Sequence, residues 1–250
     1  MALLSVIFSV CMFIMYLCSI TYNVLTISDG TPNCTVFTFR GYGGKFKYLT
    51  FLNFLLQTFY YGLCAATAVM GSTGAPSRDP RKRPALQKFR DFLHNTLVFP
   101  VGTFVVVTFW AIYAVDRELV FPKALDKFIP PWLNHVMHTF ILPILLMDKY
   151  LNYHHIPKRR NGILGLLAFG LVYLLWILWI AYYANVWVYP ILKVLETHQR
   201  IIFFAFLLML FVSLYLVGEG LTKFLWRKEM GAVLAAKTTK SSKSTKKKNR

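Results

Sequence analysis

Six stretches of this chain are apolar over a length that suits a lipid bilayer, and that property decides most of what it can fold into. A hydrocarbon core of about 30 Å takes about 20 apolar residues per helix. The runs Met1 to Leu25, Tyr48 to Met70, Leu93 to Val115, Trp132 to Tyr150, Gly162 to Ala184 and Ile201 to Leu221 match that length. With no water at hand, each backbone N–H and C=O must pair within its own segment, so such runs fold as helices. The expected fold is all-α, a polytopic membrane bundle of about six transmembrane helices spanning residues 1–222, with a basic tail over 223–250. Charged residues make up only 15% of the chain, against roughly 25% in soluble domains. The first run lacks a basic start and a small-residue cleavage site, so it reads as a retained span rather than a signal peptide.

Six spans put both termini on one side, and the cations say which. Twenty of the 28 Lys and Arg residues fall between spans two and three, between spans four and five with Lys149 at the end of span four counted, or after Leu221. The positive-inside rule makes that side, and both termini, cytosolic. The net charge of +18 therefore reports orientation, and nucleic acid is not an expected partner. The tripeptide Asn33-Cys34-Thr35 is a glycosylation acceptor in the first loop, on the lumenal side by this rule. Cys11, Cys18 and Cys64 fall in spans and read as small hydrophobes, which leaves Cys34 without an internal lumenal disulfide partner. The Lys/Ser/Thr-rich segment Lys237 to Arg250 has no apolar periodicity and is expected to be disordered. Its end, Lys247-Lys248-Asn249-Arg250, fits a dilysine retrieval signal or a polybasic patch drawn to anionic lipid. Endoplasmic reticulum and plasma membrane are both compatible locations.

The chemistry of the chain is concentrated in two polar patterns inside these runs. In span two, Thr50, Asn53, Gln57 and Tyr61 fall within an arc of roughly 80° on a helix of 3.6 residues per turn. A polar face in lipid must turn toward other helices or a cavity. In span four, Trp132-Leu133-Asn134-His135-Val136-Met137-His138-Thr139 carries two histidines, which are functional candidates by default at membrane depth. Spans two and four enter from the same side, so Thr50 and His138 sit at depths differing by roughly 6 Å, within reach of side chains and helix tilt. A hydroxyl beside an imidazole is a nucleophile with its general base. Asp148 lies about 15 Å beyond His138 along the helix and Glu219 sits at the far end of span six. Any catalytic unit is therefore a Thr-His dyad, with a carbonyl or the Asn134 amide setting the imidazole tautomer. Thr50 lies in the first turns of its helix, where unpaired N–H groups favour negative charge, and Asn53 is a further candidate oxyanion donor.

A metal centre is the competing chemistry. His135-x-x-His138 and His154-His155 resemble histidine boxes, but the two pairs lie about 24 Å apart along the helix axis, and His94 and His198 fall at span ends. With no intramembrane carboxylate near His138 either, a di-iron or zinc centre lacks ligands, and no metal and no cofactor is expected in the chain.

The segments Lys47-Tyr48-Leu49-Thr50-Phe51-Leu52-Asn53, Phe99-Pro100-Val101, Asp116-Arg117-Glu118, Pro122-Lys123, Trp132 to Thr139, Trp187-Val188-Tyr189-Pro190 and Leu216-Val217-Gly218-Glu219 occur in one order. In that arrangement the chain resembles the androgen-induced gene 1 protein / androgen-dependent TFPI-regulating protein family. The resemblance implies a multi-pass membrane hydrolase of fatty acid esters of hydroxy fatty acids, with Thr50 as nucleophile and His138 as its histidine. The androgen-induced member has Asp where this chain has Asn53, so an electrostatic role does not carry over to that residue. By this reading a branched lipid ester is the substrate and partner. His135 and Gln57 are candidate substrate contacts, and Arg40, Lys45 and Lys47 are candidate attractors of its free carboxylate.

The alternative of another class is a non-catalytic membrane regulator or a lipid-binding or transport protein. A transporter more often carries inverted repeats or broken helices, and the spans suggest neither, although Pro100 and Pro143 are candidate kinks.

Overall fold

The computed structural model describes residues 2–27, 41–70, 83–233 and 235. The Asn33-Cys34-Thr35 acceptor, Arg40, the loop cations Arg78, Arg81 and Lys82, and the tail from Lys237 lie outside them. The described residues are helical, with no strand among them: α1 (Ala2–Thr26), α2 (Leu49–Val69), α3 (Ala85–Leu93), α4 (Phe99–Val115), α5 (Pro131–His138), α6 (Ile141–Leu151), α7 (Arg159–Ala184), α8 (Pro190–Val194) and α9 (Thr197–Leu225). Five continuous helical segments among these residues are long and apolar enough to cross a membrane. They correspond to five of the six expected runs.

The remaining run, the fourth, Trp132 to Tyr150, differs from expectation. It is two helices, α5 and α6, separated at Thr139-Phe140. Pro143 supplies the cause, because it has no N–H to give the Thr139 carbonyl and its ring would clash there. It is accommodated in the first turn of α6, where an N–H needs no helical partner. The N–H groups of Thr139 and Phe140 both close on the His135 carbonyl, at 2.8 and 2.9 Å. The His138 carbonyl is thereby released to accept Trp110 Nε1 at 2.9 Å.

The third run is also more than a plain span. α3 begins eight residues before the expected start, and a π-helical turn over His94–Val98 joins it to α4. Widening the helix here gives Pro100 room, since its ring would otherwise press on the carbonyl four residues back. Val98 O, at the start of α4, accepts Gln57 Nε2 at 3.2 Å.

α4 forms the centre of the bundle, and Phe99 to Val106 are all buried. A helix apolar on every side fits a position surrounded by other helices. Phe104 stacks on Phe211 of α9 with centroids 4.0 Å apart, and α1 closes on α2 through stacked Tyr16 and Tyr61. Glycines permit the tightest approaches, since apolar lipid offers little drive for association beyond close packing. Phe99 packs on Gly218 so closely that a Cβ there would lie 2.6 Å from the ring.

Before α2 the chain turns at Gly43 and Gly44, with φ of 79° and 51°. Only glycine adopts such angles freely. A short 3₁₀ turn, Gly44–Lys47, then delivers Leu49 and Thr50 to the helix start.

Candidate functional site

Thr50 and His138 meet in the structure. Thr50 Oγ1 lies 3.2 Å from His138 Nε2, so the depth difference between the two helices is closed. His138 is the last residue of α5 and is buried, whereas Thr50 is half-buried in the first turn of α2. The imidazole lies face to face with Phe109, centroids 3.7 Å apart and planes 12° from parallel. Two contacts to one residue fix its tautomer. Nδ1 is 3.1 Å from the Asn134 backbone carbonyl and 2.8 Å from Asn134 Oδ1. A carbonyl only accepts, so Nδ1 carries the hydrogen and the neutral ring turns a bare Nε2 toward the Thr50 hydroxyl.

The start of α2 has an unusual cap. No side chain within the helix caps it. Instead the Leu49 N–H donates to the hydroxyls of Tyr189 and Tyr173, at 2.9 and 3.0 Å. Tyr173 gives its own hydrogen to the Lys47 carbonyl at 3.0 Å. The two phenol oxygens are 2.8 Å apart, so the Tyr189 hydrogen is the one free to choose its acceptor.

Two cavities converge on Thr50. The larger, about 440 Å³, runs among α4, α7, α8 and α9 and is lined almost wholly by apolar residues such as Phe104, Leu171, Phe204 and Phe211. The smaller, about 80 Å³, holds Thr50 and His138 together with Asn23, Lys45 and Met137. Thr50, Phe109 and Tyr189 border both. Lys45 Nζ bonds the carbonyl and the side-chain oxygen of Asn23, and burial pulls its pKa below the ordinary lysine value.

The other residues singled out from the sequence are arranged differently. Asn134 supports the imidazole directly. Asn53 and Gln57 share the inward face of α2 with Thr50 but line neither cavity. Gln57 Nε2 is engaged by Asn53 Oδ1 and Val98 O, so a substrate contact for Gln57 is not supported by its position. Asn53 Nδ2 is buried without a hydrogen-bond partner. Lys47 is buried against the Tyr48 ring and borders neither cavity; its neighbour Lys45 does. His135 points the other way, with Nδ1 3.0 Å from Thr139 Oγ1 and its ring over Trp110.

Sequence spacing missed Tyr173 and Tyr189, which come from far along the chain and become neighbours of Thr50 only through packing. It also set His154 and Asp148 apart from other ligating groups. In the structure both meet His94, at the end of the bundle away from Thr50.

The sequence matches the FAR-17a/AIG1-like protein family over residues 4–223. It is 40% identical over 188 residues to the human androgen-induced gene 1 protein, covering 74% of this chain and 79% of that one. It is likewise 40% identical over 184 residues to the human androgen-dependent TFPI-regulating protein, covering 74% and 78%. A membrane protein of Schizosaccharomyces pombe is 26% identical over 181 residues, covering 71% and 75%. No solved structure matches the chain.

Proposed function

The chain belongs to the FAR-17a/AIG1-like protein family, and from that premise we propose that it is a membrane hydrolase of fatty acid esters of hydroxy fatty acids. The observation that carries the reading is the 3.2 Å contact of Thr50 Oγ1 with His138 Nε2 at the junction of two cavities.

In the reaction, His138 Nε2 takes the hydroxyl proton of Thr50 as Oγ1 attacks the ester carbonyl carbon. The tetrahedral intermediate collapses with cleavage of the ester C–O bond. The leaving alkoxide receives the proton from His138, and an acyl-threonine remains. Water, deprotonated by the same nitrogen, attacks that acyl group and releases the fatty acid. Charge on the intermediate's oxygen is met by the α2 N-terminus and by the Tyr189 hydroxyl beside it. Phe109 holds the imidazole plane while the proton shuttles.

The cavities suit a two-armed lipid. One acyl chain occupies the larger, apolar space among α4, α7 and α9. The arm ending in a carboxylate is directed through the smaller space toward Lys45. Cytosolic termini and a location in the endoplasmic reticulum or plasma membrane belong to the same proposal and rest on the cation distribution.

The test uses purified protein and its Thr50→Ala and His138→Ala variants on a branched fatty acid ester. A loss on the order of a thousandfold or more in each, with folding preserved, is expected of a catalytic unit. Unchanged hydrolysis in either variant sinks the dyad. Retained binding of the ester by the wild type without any turnover would favour a lipid-binding regulator, for which the apolar cavity is the supporting feature.

A further inference from the structure

Three ligating side chains that the proposed hydrolysis does not use converge at the other end of the bundle. His94 opens the π-helical turn before α4, Asp148 lies in α6, and His154 follows α6 in extended chain. All three are buried, and their ligand atoms lie within 4.8 Å of one another. Along α6 and α5, Asp148 is ten residues from His138, about 15 Å of helix rise. This cluster is separate from the Thr50 site.

We propose that His94, Asp148 and His154, with the Tyr60 hydroxyl as a fourth ligand, bind a divalent transition-metal ion, with zinc the best match. His154 Nε2 and His94 Nε2 lie 3.2 and 3.5 Å from Asp148 Oδ2, and Tyr60 Oη lies 3.3 Å from His154 Nε2. Zinc bonds to nitrogen and oxygen of about 2.0 to 2.1 Å place tetrahedral ligand atoms about 3.3 Å apart. Of the six edges of such a tetrahedron, these three lie near that length. A further edge, Tyr60 Oη to Asp148 Oδ2, is 2.6 Å and must open by about 0.7 Å to reach it.

Hydrogen bonding by itself accounts for the cluster poorly. Both nitrogens of His94 are fully buried with no hydrogen-bond partner. A neutral imidazole always carries one N–H and one lone pair, and neither is satisfied. Asp148 Oδ2 is approached by Tyr60 Oη, His154 Nε2 and His94 Nε2 together, more neighbours than its two lone pairs can serve. The His94 and His154 rings stack with centroids 3.9 Å apart and planes within 20°, which turns their Nε2 atoms to the same oxygen. A cation held by His94 Nε2, His154 Nε2 and Asp148 Oδ2 would take up the His94 lone pair and relieve the crowding at Oδ2, while His94 Nδ1 stays without a partner.

His154 Nδ1 faces Asp91 Oδ1 at 3.3 Å, a carboxylate–histidine–metal arrangement that orients the ring and raises its basicity. Asp91 is held in turn by Arg83, Arg90 and the His155 N–H, and Asp148 Oδ1 accepts from Asn152 Nδ2 at 2.8 Å. The nearby cations have other partners. Arg83 and Arg90 pair with Asp91, while Lys149 Nζ bonds Thr222 Oγ1 and the Gly218 carbonyl over the Phe99 ring. The ion would fasten α2, the π turn, α6 and the chain after it, a structural role distant from the ester chemistry.

The experiment is metal analysis of the full-length protein in detergent by inductively coupled plasma mass spectrometry. About one divalent transition-metal ion per chain is expected. Chelation should lower the melting temperature, and added zinc should restore it. His94→Gln and Asp148→Asn should each reduce occupancy at least tenfold, whereas His198→Ala, an exposed histidine outside the cluster, should keep it. If His94→Gln does not fold, zinc-edge X-ray absorption on the wild type must show two imidazole nitrogens bound directly to the metal. The proposal is overturned by a wild type with no stoichiometric metal and no response to chelator or zinc. It is equally overturned by a folded His94→Gln that keeps its metal, or by an absorption spectrum lacking the two nitrogens. None of these readouts uses hydrolysis, so the site stands or falls independently of Thr50.

Discussion

Asn134 holds His138 twice, through its backbone carbonyl at 3.1 Å and its side-chain oxygen at 2.8 Å, both on Nδ1. An i, i+4 pair on the last turn of α5 thereby takes the tautomer-setting role that a carboxylate fills in a Ser-His-Asp triad. The backbone carbonyl remains when the amide is removed. Asn134→Ala should therefore lower kcat by roughly tenfold, far less than Thr50→Ala, because one Nδ1 acceptor survives. Steady-state kinetics on the three proteins side by side checks the order.

Tyr189 touches the Leu49 N–H and borders both cavities. Tyr189→Phe removes a hydroxyl donor at the helix start while Tyr173 keeps its own bond to the same N–H. The expected result is a fall in kcat of about a hundredfold with KM little changed, the pattern of a group that acts on the transition state. A fall in melting temperature with kcat intact would make Tyr189 a cap alone.

Lys45 is the cation bordering the smaller cavity, and its charge is partly desolvated. Lys45→Met should raise KM for an ester bearing a free carboxylate and leave KM for the methylated form unchanged. Comparing the two substrates on one variant separates charge recognition from a general loss of fold.

His135 and His138 share a helix but not a role. His135 is exposed and bonds Thr139, so His135→Ala should change kcat/KM by less than about threefold, within the range of ordinary surface substitutions. A hundredfold loss would return His135 to the site.

Gly102 lies where α4 meets α2 and α6. A Cβ there would come 2.7 Å from Gln57 Nε2, 2.8 Å from Leu145 and 3.0 Å from Ile141. Gly102→Ala should destabilise the bundle by about 1–3 kcal/mol through overpacking, read as a lower melting temperature in detergent.

The amino-acid order alone determined the helical class, because apolar runs of bilayer length admit no other regular backbone. It also determined which face of α2 is polar, since Thr50, Asn53, Gln57 and Tyr61 recur at helical spacing. Thr50 and His138 were legible as a pair because both lie within a few turns of helix starts that share one end. What spacing could not resolve was which polar residues reach a cavity. Gln57 and Lys45 differ in this respect only through what packs against them. The break at Thr139-Phe140 was signalled by Pro143, but the use of the released His138 carbonyl by Trp110 needed α4 alongside. Tyr173 and Tyr189 meet Leu49 across more than a hundred residues, and His94 meets His154 across sixty. Periodicity reports local geometry along one helix, whereas contacts between helices depend on crossing angles and close approaches at glycine, so only the tertiary structure decided them.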